Sequence, residues 1–310
     1  MKSYLYANFT ESSTNYGNYI IDFATKEFLK KNITAPINFT EYDSFKDVIP
    51  QGNFDGLFIP GCTMLTPGEN RSLDNLSQIS FKSYCLAGSL WYSNIDKNFL
   101  VKKRLIKYSK GEMPNFSIVQ DLSAIIGSRD SYTYNVLKNN DFNTLYTGCP
   151  TLFLDKSDIK DNNYVLFSFG RGNYYKQVSI GNSISKKHRV IGICHEDGDM
   201  ERLLAAGWKN PIVTFHNDIE LYLSYFKNAS YIISGRLHGI LPSIAFGKKC
   251  MYFGTDDTRT TILHDIGVPI YKLNDLKNFK DLCCVFENQN LFDFFKSNMV
   301  KVAHSIFDKE

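Results

Sequence analysis

Apolar residues in this chain come in short runs of four to seven, broken by Gly, Asn and Asp, and between the runs they recur at helical spacing. A run at Ser3–Phe9 is followed by a polar loop, Thr10–Asn18, and then by Ile20, Ile21, Ala24, Phe28 and Leu29 on one helical face. Further strands are predicted at Asp55–Pro60, Tyr84–Leu90, Ala124–Ser128 and Leu145–Tyr146, with helices at Phe99–Tyr108 and Asp130–Lys138. From Tyr164 onward the alternation is cleaner. Strands at Tyr164–Phe169, Val190–Cys194, Ile212–Phe215, Tyr231–Ser234 and Cys250–Phe253 interleave with helices at Met200–Ala206, Asp218–Lys227, Gly239–Phe246 and Thr260–Ile266. Regular alternation of this kind predicts an α/β fold with parallel sheets covered on both faces by helices. The polar stretch Asp155–Asn163 is the natural linker, which divides the chain into two Rossmann-like domains, 1–157 and 158–310, facing each other across a cleft. A last helix, Asn290–Phe307, carries an apolar stripe suited to crossing back onto the first domain.

Length and composition agree with this division. The chain has 310 residues, 43% of them hydrophobic and 22% charged, enough for two cores of ordinary size. A net charge of +3, with Lys and Arg dispersed apart from short groups such as Lys102-Lys103-Arg104, argues against a nucleic-acid partner. Seven cysteines in mainly apolar surroundings, without CxxC spacing, read as reduced core thiols. With no long apolar run and no signal-like N-terminus, the expected location is cytoplasmic.

The most informative segment is Ser234-Gly235-Arg236-Leu237-His238-Gly239, where a buried strand gives way to a helix. Helix N-termini offer free amides and a partial positive charge, so a guanidinium placed there makes an anion site with Arg236, Leu237 and Gly239 around it. The alternative is an Arg236 paired with a carboxylate of the other domain and a His238 that caps the helix. Ser128-Arg129-Asp130 repeats the pattern in the first half, so Arg129 and Arg236 could clamp a small anion, one from each domain; local pairing of Arg129 with Asp130 is the competing reading. Asn15, Gly17 and Asn18 lie in a loop after the first strand, where positive φ would leave amides free for a ligand. His216 ends a strand and is placed in the cleft, with Asn217 as cap of the next helix. His195 with Glu196, Asp197 and Asp199 reads as an acidic helix start rather than a metal site, and no metal ligand set is expected. Phe169-Gly170-Arg171-Gly172-Asn173 lacks both the dinucleotide and the P-loop pattern.

Taken together, Asn15-Tyr16-Gly17-Asn18, Gly127-Ser128-Arg129-Asp130, Cys149-Pro150, His216–Asp218 and above all Ser234-Gly235-Arg236-Leu237-His238-Gly239 resemble the polysaccharide pyruvyl transferases. The resemblance implies two Rossmann-like domains in a GT-B-like arrangement, with the acceptor on the first domain and the donor on the second. It implies phosphoenolpyruvate bound by Arg129 and Arg236, with His238 at the reaction centre. It further implies a cell-surface glycan or lipid-linked oligosaccharide as acceptor, a ketal as product, and no cofactor. A lipid-linked acceptor would bring the protein to the periphery of the inner membrane. Two departures stand out: Pro60-Gly61-Cys62 where the family commonly has a glycine-rich run, and Thr258-Arg259 where it often has a lysine. The residues also admit a GT-B glycosyltransferase using a nucleotide sugar, since the same cleft could hold a diphosphate.

Overall fold

The computed structural model describes residues 2–10, 13–43, 50–62, 82–90 and 125–308. The helix predicted at Phe99–Tyr108 and the Lys102-Lys103-Arg104 group lie outside the described residues. Two parallel sheets organise the rest. The first is six-stranded, in the order β2 (Ile37–Asp43), β1 (Lys2–Asn8), β3 (Gly56–Cys62), β4 (Ser83–Gly88), β5 (Ile126–Ser128), β6 (Thr144–Tyr146). The second is five-stranded, in the order β11 (Lys249–Tyr252), β10 (Tyr231–Ser234), β7 (Val165–Ser168), β8 (Val190–Ile193), β9 (Ile212–Val213). Strand order reverses between β1 and β3 in one sheet and between β7 and β10 in the other. Such switch points open a crevice at the carboxyl ends of the strands.

Helices fill the connections: α1 (Tyr16–Asn32), α2 (Ser131–Asn139), α3 (Tyr174–Ile184), α4 (Asp199–Ala205), α5 (Ile219–Lys227), α6 (Leu237–Ala245), α7 (Thr261–Ile266), α8 (Phe279–Leu282) and α9 (Gln289–Phe307). Strand β2 and helices α3 and α8 escape the sequence pattern. Strand β2 sits at the sheet edge with mixed exposure and so lacks a continuous apolar run. Helix α3 contains Gly181, where a Cβ would lie 2.4 Å from the Trp208 ring. The glycine is what lets Trp208 pack against the helix.

The last helix lies on the first sheet. Met299, Val302, Ala303, Ile306 and Phe307 join Tyr4, Phe58, Leu86 and Ala87 in one buried cluster, the Tyr4 hydroxyl donates to Ile306 O at 2.9 Å, and the Asn298 amide donates to Tyr146 O at 3.0 Å. Each large side chain buried this way stabilises the docked helix by about 1.5–3 kcal/mol. A second apolar cluster joins the two sheets: Tyr16, Ile20 and Ala24 of α1 and Leu152 pack with residues of β7, β8 and β10. Residues 155–163 between the sheets are exposed.

Candidate active site between the two sheets

The loops at the carboxyl ends of both sheets meet in a polar cavity of about 110 Å³. Asn15, Asn18 and Arg129 reach it from the first half; Arg171, His195, Arg236, Leu237, His238 and Arg259 reach it from the second. Backbone pairing brings the halves together here. Tyr16 N donates to His195 O at 2.7 Å, Asp197 N donates to Thr14 O at 3.0 Å, and the Tyr16 hydroxyl donates to Asp197 Oδ1 at 2.8 Å.

Arg129 follows β5 and is completely buried. Among the described residues none of its three guanidinium nitrogens has a hydrogen-bond partner; the nearest carboxylate oxygen is Asp130 Oδ2, 3.9 Å from Nε. That oxygen already accepts from Ser89 Oγ, and Asp130 Oδ1 caps α2 through Thr133 N at 2.8 Å. Local pairing with Asp130 is therefore weak. A buried cation without hydrogen bonds is costly, and it is a strong attractor for an anion entering the cavity.

Arg236 is placed differently. It stands at the N-cap position of α6 in extended backbone, and its side chain lies back against the second half. Nη1 donates to Glu196 Oε2 at 3.2 Å, Nη2 faces Glu196 Oε1 at 3.2 Å and Asp199 Oδ2 at 3.4 Å, and Nε donates to Phe169 O at 3.0 Å. The carboxylates that hold Arg236 thus come from its own half, not from the other domain. Glu196 also receives Arg171 at 3.0 Å and Arg202 at 3.2 Å. Burial raises its carboxyl, but the Arg236 guanidinium, with Arg171 behind it, more than offsets this and pulls it down to about 2. Glu196 and Asp199 were read from sequence as a helix start. Asp199 does begin α4, accepting from His195 N and Glu196 N, but both carboxylates also orient Arg236. Only tertiary proximity reveals that role.

His238 occupies the first turn of α6, and it does not cap the helix. Its Nδ1 is buried without a partner among the described residues. Burial, then the charges of Arg129 and Arg259, push the imidazole down to about 3, so the unliganded ring is neutral. The ring lies against Gly17, where a Cβ would come within 2.7 Å of His238 Cδ2. None of residues 15–18 takes positive φ. Gly17 is needed for the space it leaves, not for backbone freedom. Asn15 caps α1 by accepting from Gly17 N at 3.0 Å, and the Asn18 amide donates to Phe9 O and Ser13 Oγ, so both line the cavity while fixing the loop.

Beneath the first turn of α6 lies a buried network: His195 Nε2 and Ser168 Oγ are 2.7 Å apart, and Ser168 Oγ and Ser234 Oγ 2.8 Å. Ser234 Oγ accepts from Arg236 N at 3.1 Å and so fixes the turn that carries Arg236. Gly239 covers this network, and a Cβ there would lie 2.3 Å from Ser234 Oγ and 2.5 Å from Ser168 Oγ.

Two further arginines line the cavity. Arg259, held by Asp257 through Nε at 3.1 Å, supplies a cation where Thr258-Arg259 departs from the family pattern. Arg171, in the glycine-rich piece after β7, supplies another. His216, in contrast, is not in the cavity. It is exposed, 2.7 Å from Thr214 Oγ1, in a separate depression beside α5. Nor does Asn217 cap α5: it takes φ 58°, and Asp218 caps instead by accepting from Leu221 N at 2.9 Å. Cys149 is buried, with its thiol raised by desolvation, which leaves it unreactive. Among the described residues no group of His, Cys, Asp and Glu is arranged to hold a metal ion, and no helix is long and apolar enough to cross a membrane.

Solved structures with this architecture are numerous. A Staphylococcus aureus MnaA structure with UDP superposes with a TM-score of 0.57 at 11% identity, covering 99% of this chain and 94% of that one. The UDP-N-acetylglucosamine 2-epimerase of Rickettsia bellii gives 0.56 at 13% identity, with 99% and 97% covered. The Neisseria meningitidis UDP-GlcNAc 2-epimerase, bound to UDP-GlcNAc, gives 0.54 at 12% identity, with 99% and 97% covered. At such identities the likeness establishes the GT-B-like fold alone. Comparison with curated proteins yields no significant match. The family comparison reaches the cavity itself, because the matched segment contains Arg129, His195, Arg236 and His238: residues 117–257 of this chain match the family Polysaccharide pyruvyl transferase, the family that the Arg236-Leu237-His238 motif resembles.

Proposed function

We propose that the protein transfers the pyruvyl group of phosphoenolpyruvate to a sugar of a surface polysaccharide or its lipid-linked precursor, forming a cyclic ketal. The observation that carries this reading is Arg129: a fully buried guanidinium with no hydrogen-bond partner among the described residues, in a cavity it shares with Arg236, Arg259 and a neutral imidazole. Phosphoenolpyruvate bears a carboxylate and a phosphate, which would take Arg129 and the first-turn amides of α6, beside Arg236, which lines the same cavity while held by Glu196 and Asp199. The cavity is well below the roughly 300–1,000 Å³ of sites for larger ligands, which favours a small dianion over a nucleotide sugar.

The chemistry uses the site in sequence. Entry of the dianion offsets the charges of Arg129 and Arg259 and raises the His238 pKa, so the imidazole takes up a proton in the complex. The imidazolium then donates that proton to the methylene carbon. The π electrons form the new C–H bond, and the adjacent carbon becomes an oxocarbenium-like centre. A sugar hydroxyl adds to it and passes its proton to the now neutral His238. A second hydroxyl of the same sugar displaces phosphate and gives its proton to the departing group, so the ketal closes with inorganic phosphate as leaving group. General acid catalysis at the first step accounts for about 10²–10⁴ in rate. No step calls for a metal or an organic cofactor.

Calorimetry with phosphoenolpyruvate and with UDP-GlcNAc tests the reading. Phosphoenolpyruvate is expected to bind and UDP-GlcNAc to fail; the reverse result would transfer the assignment to a nucleotide-sugar enzyme.

A further inference from the structure

Two depressions flank α5 on the second half, and among the described residues neither shares one with the active-site cavity. The larger measures about 420 Å³ and is lined by Asn162, Arg189, Ser224 and Asn228 over the ring of Tyr164. The smaller, about 160 Å³, contains Thr214, His216 and Asp218. Leu221 and Tyr225 line both, so the two form one groove along the helix, beside β9 at the sheet edge.

Its chemistry is uncommitted. The Arg189 guanidinium stands over the Tyr164 ring at 5.8 Å, and among the described residues it has neither a carboxylate within ion-pair distance nor a hydrogen-bond acceptor. Asn228 Oδ1 accepts from Lys160 N at 3.2 Å, and among the described residues its Nδ2 has no acceptor. Leu221 is 55% exposed, and the half-buried Tyr225 lines both depressions. Amides and hydroxyls that can both donate and accept suit sugar hydroxyls. An aromatic and an aliphatic surface suit the C–H faces of a pyranose, and an unpaired arginine suits a carboxylate.

We infer that this groove is a second, non-catalytic glycan site that holds an anionic polysaccharide chain, with Arg189 taking a ketal carboxylate. The inference rests on the proposed function, because pyruvyl transfer leaves a carboxylate on each modified sugar and makes the product chain anionic. A chain anchored in the groove would present its next repeats to the cleft at high effective concentration. His216, expected from sequence to bind substrate, would then do so in the groove rather than at the reaction centre.

Affinity electrophoresis in native gels containing xanthan, a polysaccharide bearing pyruvate ketals, tests this, with acid-depyruvylated xanthan as the control gel. The protein should be retarded by the pyruvylated polymer and much less by the control. Arg189→Gln should weaken retention about fivefold and abolish the preference between gels. Tyr225→Ala should weaken retention in both, and Arg236→Ala should leave it unchanged. Absence of retardation of the unmodified protein would overturn the proposal, as would retention lost in Arg236→Ala but kept in Arg189→Gln. Phosphoenolpyruvate calorimetry on Arg189→Gln, expected to match the unmodified protein, keeps failure of the groove distinct from failure of the active-site reading.

Discussion

Arg129→Met should make the protein more stable and functionally dead. The guanidinium is fully buried, and among the described residues all three nitrogens lack hydrogen bonds and the nearest carboxylate is 3.9 Å away and already engaged by Ser89 and Thr133. Replacing buried charges by apolar side chains of similar volume is often worth about 1–4 kcal/mol. Against that gain stands Asp130, whose carboxyl is already raised by burial and is lowered in part by Arg129. Without the arginine it rises further and can take up a proton while keeping both hydrogen bonds, so the net effect should fall at about 1–2 kcal/mol of stabilisation. At roughly 2 °C per kcal/mol, the melting temperature should rise by about 2–4 °C. Differential scanning fluorimetry with and without phosphoenolpyruvate reads both halves of the claim. Saturating ligand at about a hundred times its Kd should stabilise the unmodified protein by about 2.7 kcal/mol and the variant not at all. A melting temperature that falls in the apo variant would show that Arg129 is paired at rest, and a preserved ligand shift would show that it does not hold the donor.

Other consequences can be measured on the same preparation. Gly17→Ala places a methyl carbon 2.7 Å from His238 Cδ2, so turnover measured as phosphate release should drop at least tenfold while phosphoenolpyruvate affinity, by calorimetry, changes little; equal loss of both would indicate general damage to the loop. Arg236→Lys should impair turnover nearly as much as Arg236→Ala, because an ammonium cannot reproduce the forked contact with Glu196; near-normal rates in the lysine variant would refute the fork. The pKa of His238 falls from an unfolded value near 6.5 to about 3 in the folded protein, so the unfolded state binds the extra proton in between. Stability should therefore be fully present above about pH 6.5 and decline as the pH falls toward 3, with a smaller decline in His238→Asn; parallel urea-denaturation curves for the two proteins across that range would contradict the assignment. Phosphate release should survive exhaustive EDTA treatment, and strict dependence on added magnesium would count against arginine as the sole neutraliser of donor charge.

What the sequence determined by itself was whatever depends on local periodicity and on chain order. Strand β10 was placed to the residue, and Arg129 and Arg236 were assigned to strand ends because a short apolar run followed by a polar turn fixes that geometry within a few residues. Parallel α/β alternation then forces strand ends onto one side of each sheet, so the two arginines and His238 could be expected in one cleft. Contacts between distant segments were beyond its reach. Nothing local marks Glu196 and Asp199 as the partners of Arg236, since acidic residues at a helix start look alike whether or not a guanidinium from another strand lies over them. Gly17 reads as a turn residue and Gly181 carries no signal at all, yet both are small because a ring from elsewhere, His238 or Trp208, needs the space. His216 carried the right residue type at a strand end, but β9 lies at the sheet edge, and that position turns the histidine away from the cavity. The protonation of His238 was likewise undecidable from sequence, because it follows from how deeply the ring is enclosed and how near Arg129 and Arg259 come, and both are set only when the two sheets close on each other.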